Sequence, residues 1–155
     1  MKIKKQKSII SKLAFTILLG LLIICCETSK LNETPIENFI GNWELQGRTM
    51  FNGINIKIEK SEKGELIGKI IKINENKYVK MLVDSNETWV TEIKRSSNFE
   101  FKLTEKKIGS ALFALYGQET TTDFNVQFKD ENTFGLSTGK SDPTKSSIIY
   151  KRLKE

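Results

Sequence analysis

The fold of this chain is decided by one alternating stretch, Asn52-Gly53-Ile54-Asn55-Ile56-Lys57-Ile58-Glu59. A period of two places the three isoleucines on one face, which is the pattern of a half-buried β-strand. Asn-Gly is the preferred pair of a tight type I′ hairpin turn, and another alternating run, 43–51, precedes it directly. The stretch therefore predicts a β-hairpin whose two strands meet at Asn52-Gly53.

Similar alternating or apolar runs recur along the rest of the chain, each bounded by turn-forming residues. They cover 66–73, 78–83, 88–95, 99–104, 124–128, 134–138 and 147–153. About nine strands joined by short turns predict an all-β protein in which consecutive strands pair antiparallel. A meander of this kind leaves two exposed edges unless it closes. The predicted fold class is an antiparallel up-and-down barrel of about eight or nine strands.

One stretch, between Gly109 and Gly117, departs from the period of two. Its apolar residues recur at helical spacing: Ile108, Ala111, Leu112, Leu115 and Tyr116. This spacing favours one short helix packed on the sheet or over a barrel end. One more buried strand is the alternative.

The first 25 residues carry the basic character of the chain. Five of its 25 Lys and Arg lie there, and no acidic residue precedes Glu27. The net charge is therefore +6 for the whole chain and +1 for residues 26–155, which hold 20 basic and 19 acidic side chains. The uncharged apolar run at 13–24 is shorter than the roughly 20 residues that cross a bilayer, and it fits the core of a signal peptide.

The end of this run, Ile23-Ile24-Cys25-Cys26, resembles a bacterial lipoprotein leader, in which a small residue precedes the lipidated Cys. Gly, Ala or Ser is usual where this chain has Cys25. The resemblance implies a signal peptide at 1–25, palmitate and related lipid on Cys26, a polar tether at 26–38 and a barrel domain at 39–155. It places the protein in the bacterial cell envelope, on the periplasmic face or the outer surface of a membrane. An uncleaved anchor helix and ordinary secretion are the alternatives.

The composition excludes most catalytic and metal chemistry. The chain has no His, and its only two Cys are adjacent. This rules out Ser-His-Asp and Cys-His sites and any His ligand to zinc or haem. Basic and acidic residues alternate in the domain, so no Lys/Arg patch indicates nucleic acid. We expect no catalytic residue, no metal, no cofactor and no enzyme activity, and we find no inward charge that could hold a ligand's carboxylate.

The two ends of the domain resemble the lipocalin-like (calycin) barrels. The domain begins Ile40-Gly41-Asn42-Trp43 and ends Tyr150-Lys151-Arg152. In that superfamily a Gly-x-Trp opens the first strand, and a basic residue of the last strand lies across the indole. The resemblance implies that Trp43 and Arg152 close the barrel, and strand parity favours Arg152 over Lys151. The alternatives are an ordinary core aromatic for Trp43 and a surface cation for Arg152.

Strand parity also predicts which side chains point into the barrel. They are Ile54, Ile56, Ile58, Ile71, Ile73, Phe99, Phe101, Leu103, Phe124, Val126 and Phe128. An eight-stranded barrel is just wide enough to be filled by such side chains or to hold one small ligand.

Two functions follow from this interior. In the first, the barrel binds a small apolar ligand, and the candidate contacts are Tyr78, Trp89, Phe99 and Phe101, with Leu112 to Tyr116 as a lid. In the second, the core is solid and the lipoprotein acts through its outer surface in protein contact or envelope assembly. A continuous cavity of about 300 Å³ or more would favour the first function.

Overall fold

The computed structural model describes residues 33–154, which form a closed barrel of eight antiparallel strands. The strands are β1 (Gly41–Gln46), β2 (Asn55–Lys60), β3 (Leu66–Lys72), β4 (Thr88–Arg95), β5 (Glu100–Lys106), β6 (Thr121–Asp130), β7 (Thr133–Ser137) and β8 (Ile149–Arg152). Each strand pairs with the next, which confirms the predicted up-and-down barrel. The architecture is consistent with a calycin-like fold. The predicted signal peptide, Cys26 and the first part of the tether lie outside the described residues.

Closure of the barrel brings the two ends of the domain together. β1 and β8 pair antiparallel, with Trp43 opposite Arg152 and Leu45 opposite Tyr150. Because side chains alternate across a strand, Trp43, Leu45 and Tyr150 point inward, and all three are fully buried. The pairing leaves no unpaired strand edge in the sheet.

The two ends of the barrel differ in the length of their connections. At one end, which we call the turn end, connections 61–65, 96–99 and 131–132 have five residues or fewer. At the other, the loop end, connections 47–54, 73–87, 107–120 and 138–148 have eight or more. The loop end carries both α-helices, α1 (Lys77–Leu82) and α2 (Ser110–Leu115), and a 3₁₀ helix at Pro143–Lys145. A 3₁₀ helix at Ile36–Phe39 leads the chain into the turn end.

Aromatic rings fill the turn end of the barrel. The Phe39 ring centroid lies 4.9 Å from that of Phe101, 4.6 Å from Phe128 and 5.0 Å from Phe134. The Trp43 ring lies 4.7 Å from Phe134, and its indole N–H donates to the carbonyl of Phe39 at 2.7 Å. Four of these side chains are essentially inaccessible to solvent and Phe128 is partly buried. This half of the barrel is therefore a packed core with no room for a ligand.

The prediction of a strand at 78–83 is wrong, because this segment forms α1. The side chain of Asn76 accepts hydrogen bonds from the backbone N–H groups of Tyr78 and Val79, which is an N-cap that starts a helix. Only Val79 of the helix is buried. The barrel has eight strands, within the predicted eight or nine, and two short helices where one was predicted.

The prediction of a tight turn at Asn52-Gly53 is also wrong. A type I′ turn requires positive φ at both central residues, and only Gly53 has it, with φ of 84°. β1 ends at Gln46, and the chain then forms a loop in which the Asn52 side chain accepts from the N–H of Gly47 at 3.0 Å. Two strands pair here as predicted, but the first ends at Gln46, so residues 47–51 of the predicted strand belong to a longer loop.

Two of the predicted inward positions face solvent instead. β3 buries Leu66, Gly68 and Ile70, so Ile71 lies on the outer face. Ile70 and Ile71 are both apolar, so the alternating pattern does not tell which of them points inward. The register of β3 with β4 also shifts between Gly68 and Lys69. Phe99 precedes β5, which begins at Glu100, and lies exposed in the turn end.

The helix favoured for 108–116 is confirmed as α2. None of its six residues is buried. Its apolar side chains therefore remain largely open to solvent and do not pack as a layer on the sheet.

Candidate functional site

At the turn end, Arg152 lies across the face of Trp43. The guanidinium carbon is 4.1 Å from the ring centroid. Its Nη1 donates to the carbonyl of Ile40 at 2.9 Å and its Nη2 to that of Asn38 at 2.5 Å. The same side chain thus joins the last strand to the segment that leads into the first strand. Arg152 combines a cation–π contact with charged hydrogen bonds, as its planar fork of donors allows.

Gly41 leaves the space that Arg152 needs. A Cβ at this position would lie 2.6 Å from the Nη1 of Arg152. The φ of Gly41 is +135°, a conformation that L side chains rarely adopt. The glycine of the Gly-x-Trp sequence is therefore explained by its positive φ and by the close approach of Arg152.

The six candidate ligand contacts do not surround one cavity. Phe101 is buried in the aromatic core of the turn end, and Phe99 is exposed in the turn beside it. Tyr78 lies on α1, and Leu112 and Tyr116 belong to the α2 region; all three are more than half exposed. The sixth, Trp89, is buried at the loop end and is described next.

Trp89 lines a cleft of about 260 Å³ at the loop end. Residues 82–84, from the last residue of α1 onward, and residues 106–111, from the end of β5 into α2, line this cleft. An ion pair between Lys106 and Glu87, with 3.6 Å between Nζ and Oε1, crosses the lining. The volume is below the roughly 300 Å³ that would favour ligand binding, so the cleft fits only a very small molecule or part of a larger one.

Exposed apolar side chains concentrate at the same end of the barrel. Among the described residues, seven of the ten large apolar side chains that are exposed lie in loop-end connections. They are Met50, Tyr78, Met81, Leu82, Leu112, Leu115 and Tyr116. Leu115 is 82% exposed and Tyr116 is 77% exposed. Single exposed apolar residues need no explanation, but a concentration of them indicates a contact surface.

A chain of four polar groups lies buried beneath the loop end. The indole N–H of Trp89 donates to the hydroxyl of Tyr150 at 3.0 Å, and that hydroxyl donates to Oε1 of Glu105 at 2.7 Å. Oε2 of Glu105 accepts from Nη1 of Arg48, with which it forms an ion pair. Glu105 is 1% exposed and Tyr150 is fully buried. The network joins three strands to the β1–β2 loop.

The surroundings of this network affect Tyr150 in particular. Burial, and then the negative charge of Glu105, raise the pKa of the Tyr150 phenol well above its usual value near 10. The phenol therefore stays protonated and remains a hydrogen-bond donor to Glu105. On the other side of the carboxylate, the guanidinium carbon of Arg48 lies 4.9 Å from the ring centroid of Phe51 and 5.4 Å from that of Phe124.

The expectation of no inward charge is wrong, because Glu105 points into the barrel. Its position was readable from the sequence: Phe101, Leu103 and Glu105 share one parity of β5, and the first two are core residues. Arg48 carried no such signal, because it belongs to a loop. No buried side-chain N or O in residues 33–154 lacks a hydrogen-bond partner, so the network is complete.

Comparisons with known proteins supply no further assignment. No known protein family, curated protein or solved structure matches this chain. Within residues 33–154 no group of three or more His, Cys, Asp and Glu is arranged to hold a metal ion. In the same part of the chain no helix has both the length and the apolar character needed to span a bilayer.

Proposed function

We propose that this protein is an exported bacterial lipoprotein, anchored through lipid on Cys26, whose barrel binds a small apolar ligand at its loop end. The proposal is carried by the cleft over Trp89 together with the exposed apolar side chains of the loop end, of which Leu82 lines the cleft. The core of the turn end is filled by aromatic rings. The ligand is therefore assigned to the cleft between the two helices and not to the barrel interior.

The connectivity of the chain supports this arrangement. The backbone N–H of Thr34 donates to the carbonyl of Asn98, so the chain reaches the barrel at the turn end. Cys26 precedes Thr34 by eight residues, which span at most about 28 Å when fully extended. A lipid on Cys26 would therefore keep the point where the chain enters the barrel within about 28 Å of the membrane.

Binding is tested best with the full chain purified from membranes in mild detergent. Native mass spectrometry asks whether an apolar molecule leaves with the protein. Titration with the apolar fluorophore N-phenyl-1-naphthylamine then measures the cleft directly. We expect saturable binding of one equivalent. Leu82→Gln should weaken it about tenfold, because the fluorophore would lose an apolar contact with Leu82 that is worth about 1.4 kcal/mol or more.

Phe99→Gln is the matched control, because Phe99 is exposed to a similar degree but lies at the turn end. It should leave the titration unchanged. Equal effects of the two substitutions, or a titration without saturation, would contradict ligand binding in the cleft.

A second function is favoured by α2, whose apolar residues are exposed and largely outside the cleft lining. In this case the loop end of a solid barrel contacts another envelope protein. Leu115→Gln would then abolish the association without changing the fluorophore titration. The two functions therefore predict different results: ligand binding predicts that Leu82→Gln weakens the titration, and protein contact predicts that Leu115→Gln abolishes the association. The lipid anchor has its own test: Cys26→Ser should release the protein from membranes.

A further inference from the structure

Glu105 is the only carboxylate that is buried among the described residues. Burying a charge is costly unless it is paired, and here the pairing cation comes from a surface loop. Arg48 is flanked by exposed or half-exposed loop residues, and only its side chain reaches inward to the carboxylate. The core therefore contains an anionic position that is filled by a cationic side chain from a surface loop.

The groups around this position are those that recognise a planar cation. One oxygen of Glu105 pairs with the Arg48 guanidinium, while Tyr150 holds the other oxygen. The rings of Phe51 and Phe124 lie at cation–π distances from the guanidinium carbon. A carboxylate together with aromatic faces binds cations in general.

We propose that Glu105, Phe51 and Phe124 form a binding site for the guanidinium group of a small ligand, which Arg48 occupies as an internal substitute. The loop that carries Arg48 is held by contacts independent of the ion pair. The side-chain amide of Asn74 donates to the carbonyls of Met50 and Asn52, both at 2.9 Å. The Arg48 side chain can therefore leave the carboxylate without the loop having to unfold.

A purely structural ion pair is the simpler role for these residues, and energetics argue against it as the full explanation. Replacing a buried ion pair by apolar residues of similar size is often neutral or stabilising. The Arg48 side chain also retains 21% of its exposure, so the cation lies at the boundary between solvent and the buried carboxylate. A guanidinium from outside would compete with a tethered group, whose effective concentration is in the millimolar range.

The test is to remove the internal cation and supply it from solution. The full chain carrying Arg48→Ala is melted with and without 10 mM methylguanidinium chloride. For a dissociation constant of about 1 mM, we expect the melting temperature to rise by roughly 4 °C. The same additive should raise the melting temperature of the wild-type chain by less than about 1 °C, because Arg48 already fills the site.

Two controls make the result specific. Methylurea has the same planar shape without the charge, and it should have no effect at 10 mM. The double substitution Arg48→Ala with Glu105→Gln keeps the cavity but removes the carboxylate, and it should abolish the response to methylguanidinium. A rise that survives Glu105→Gln, or that methylurea reproduces, would overturn the proposal.

A second measurement reports on the site itself. The indole N–H of Trp89 reaches Glu105 through Tyr150, so its NMR resonance should shift in Arg48→Ala and return towards the wild-type position with methylguanidinium. If the variant is unfolded without additive, methylguanidinium should restore dispersed indole resonances and methylurea should not. Failure of methylguanidinium to move these resonances in either case would overturn the proposal. Arg48 and Glu105 do not line the cleft over Trp89, so the melting experiment can fail while the proposed function stands.

Discussion

Replacing Arg152 by Ala should show how much the closure of the barrel depends on a single side chain. The substitution removes two hydrogen bonds, to the carbonyls of Ile40 and Asn38, and the cation–π contact with Trp43. These hydrogen bonds are partly open to solvent, so we take about 1 kcal/mol for each, and about 0.5 kcal/mol for the cation–π contact. The free energy of unfolding should fall by about 2.5 kcal/mol.

Urea denaturation of the full chain, followed by tryptophan fluorescence, measures this loss. With a slope of about 2 kcal/mol per molar urea, the midpoint should move down by about 1.2 M. Arg152→Lys should recover no more than about half of the loss, because an ammonium cannot donate in the same fork or stack in the same way. Lys151→Ala is the matched control: it removes an equal charge from an exposed neighbour on the same strand and should change stability by less than about 0.5 kcal/mol.

The result that would refute the reasoning is a loss for Arg152→Ala no larger than that for Lys151→Ala. It would mean that the backbone pairing of β1 with β8 closes the barrel unaided. Full stability in Arg152→Lys would refute a narrower point, namely that the planar donors and the stacking matter beyond the positive charge.

Two further predictions concern Tyr150 and Gly135. Because the fold raises the pKa of Tyr150, its contribution to the free energy of unfolding is complete below pH 10. It is lost as the pH rises from there towards the folded pKa, by about 1.4 kcal/mol per pH unit. The stability difference between wild type and Tyr150→Phe in urea should therefore shrink between pH 9 and pH 11, and a constant difference would contradict the raised pKa. Gly135→Ala should lower the melting temperature by more than about 6 °C, since its Cβ would lie 2.0 Å from the carbonyl oxygen of Pro143. Gly64→Ala, where φ is +80° but the space is open, should cost only about 1 kcal/mol, and equal effects would exclude the steric cause.

Much of the barrel could be predicted from the sequence because a period of two is a property of the individual strand. The run Ile54, Ile56 and Ile58 is buried as predicted, with no knowledge of its partners. Ile71 was placed wrongly for the opposite reason. Its neighbour Ile70 is equally apolar, so the choice of face depends on the register with β4, which shifts at Gly68. The local sequence pattern predicts that a strand forms. Where both faces of the strand are apolar, its pairing with the neighbouring strand decides which face points into the barrel.

The helix α1 and the β1–β2 loop show a second limit. Residues 78–83 include an apolar run that suits either a strand or a helix. The Asn76 side chain favours the helix by accepting two backbone hydrogen bonds, which are seen only in the folded structure. Asn52-Gly53 has the composition of a tight turn, but the side chain of Asn52 bonds to Gly47 instead. In both places an asparagine side chain determines the backbone, and its partner is set by conformation more than by sequence.

The candidate site was the hardest part to predict because its chemistry crosses the barrel. Trp89, Glu105 and Tyr150 lie on three strands, and Arg48 comes from a loop. Parity alone places Glu105 inward, yet a single charge on an apolar face gives no indication of its partner. The four residues meet only because β8 closes against β1 and brings Tyr150 beside Leu45. Closure of the barrel is therefore a condition for the network, and the network in turn is part of the fold, because Trp89 and Tyr150 also belong to the buried core.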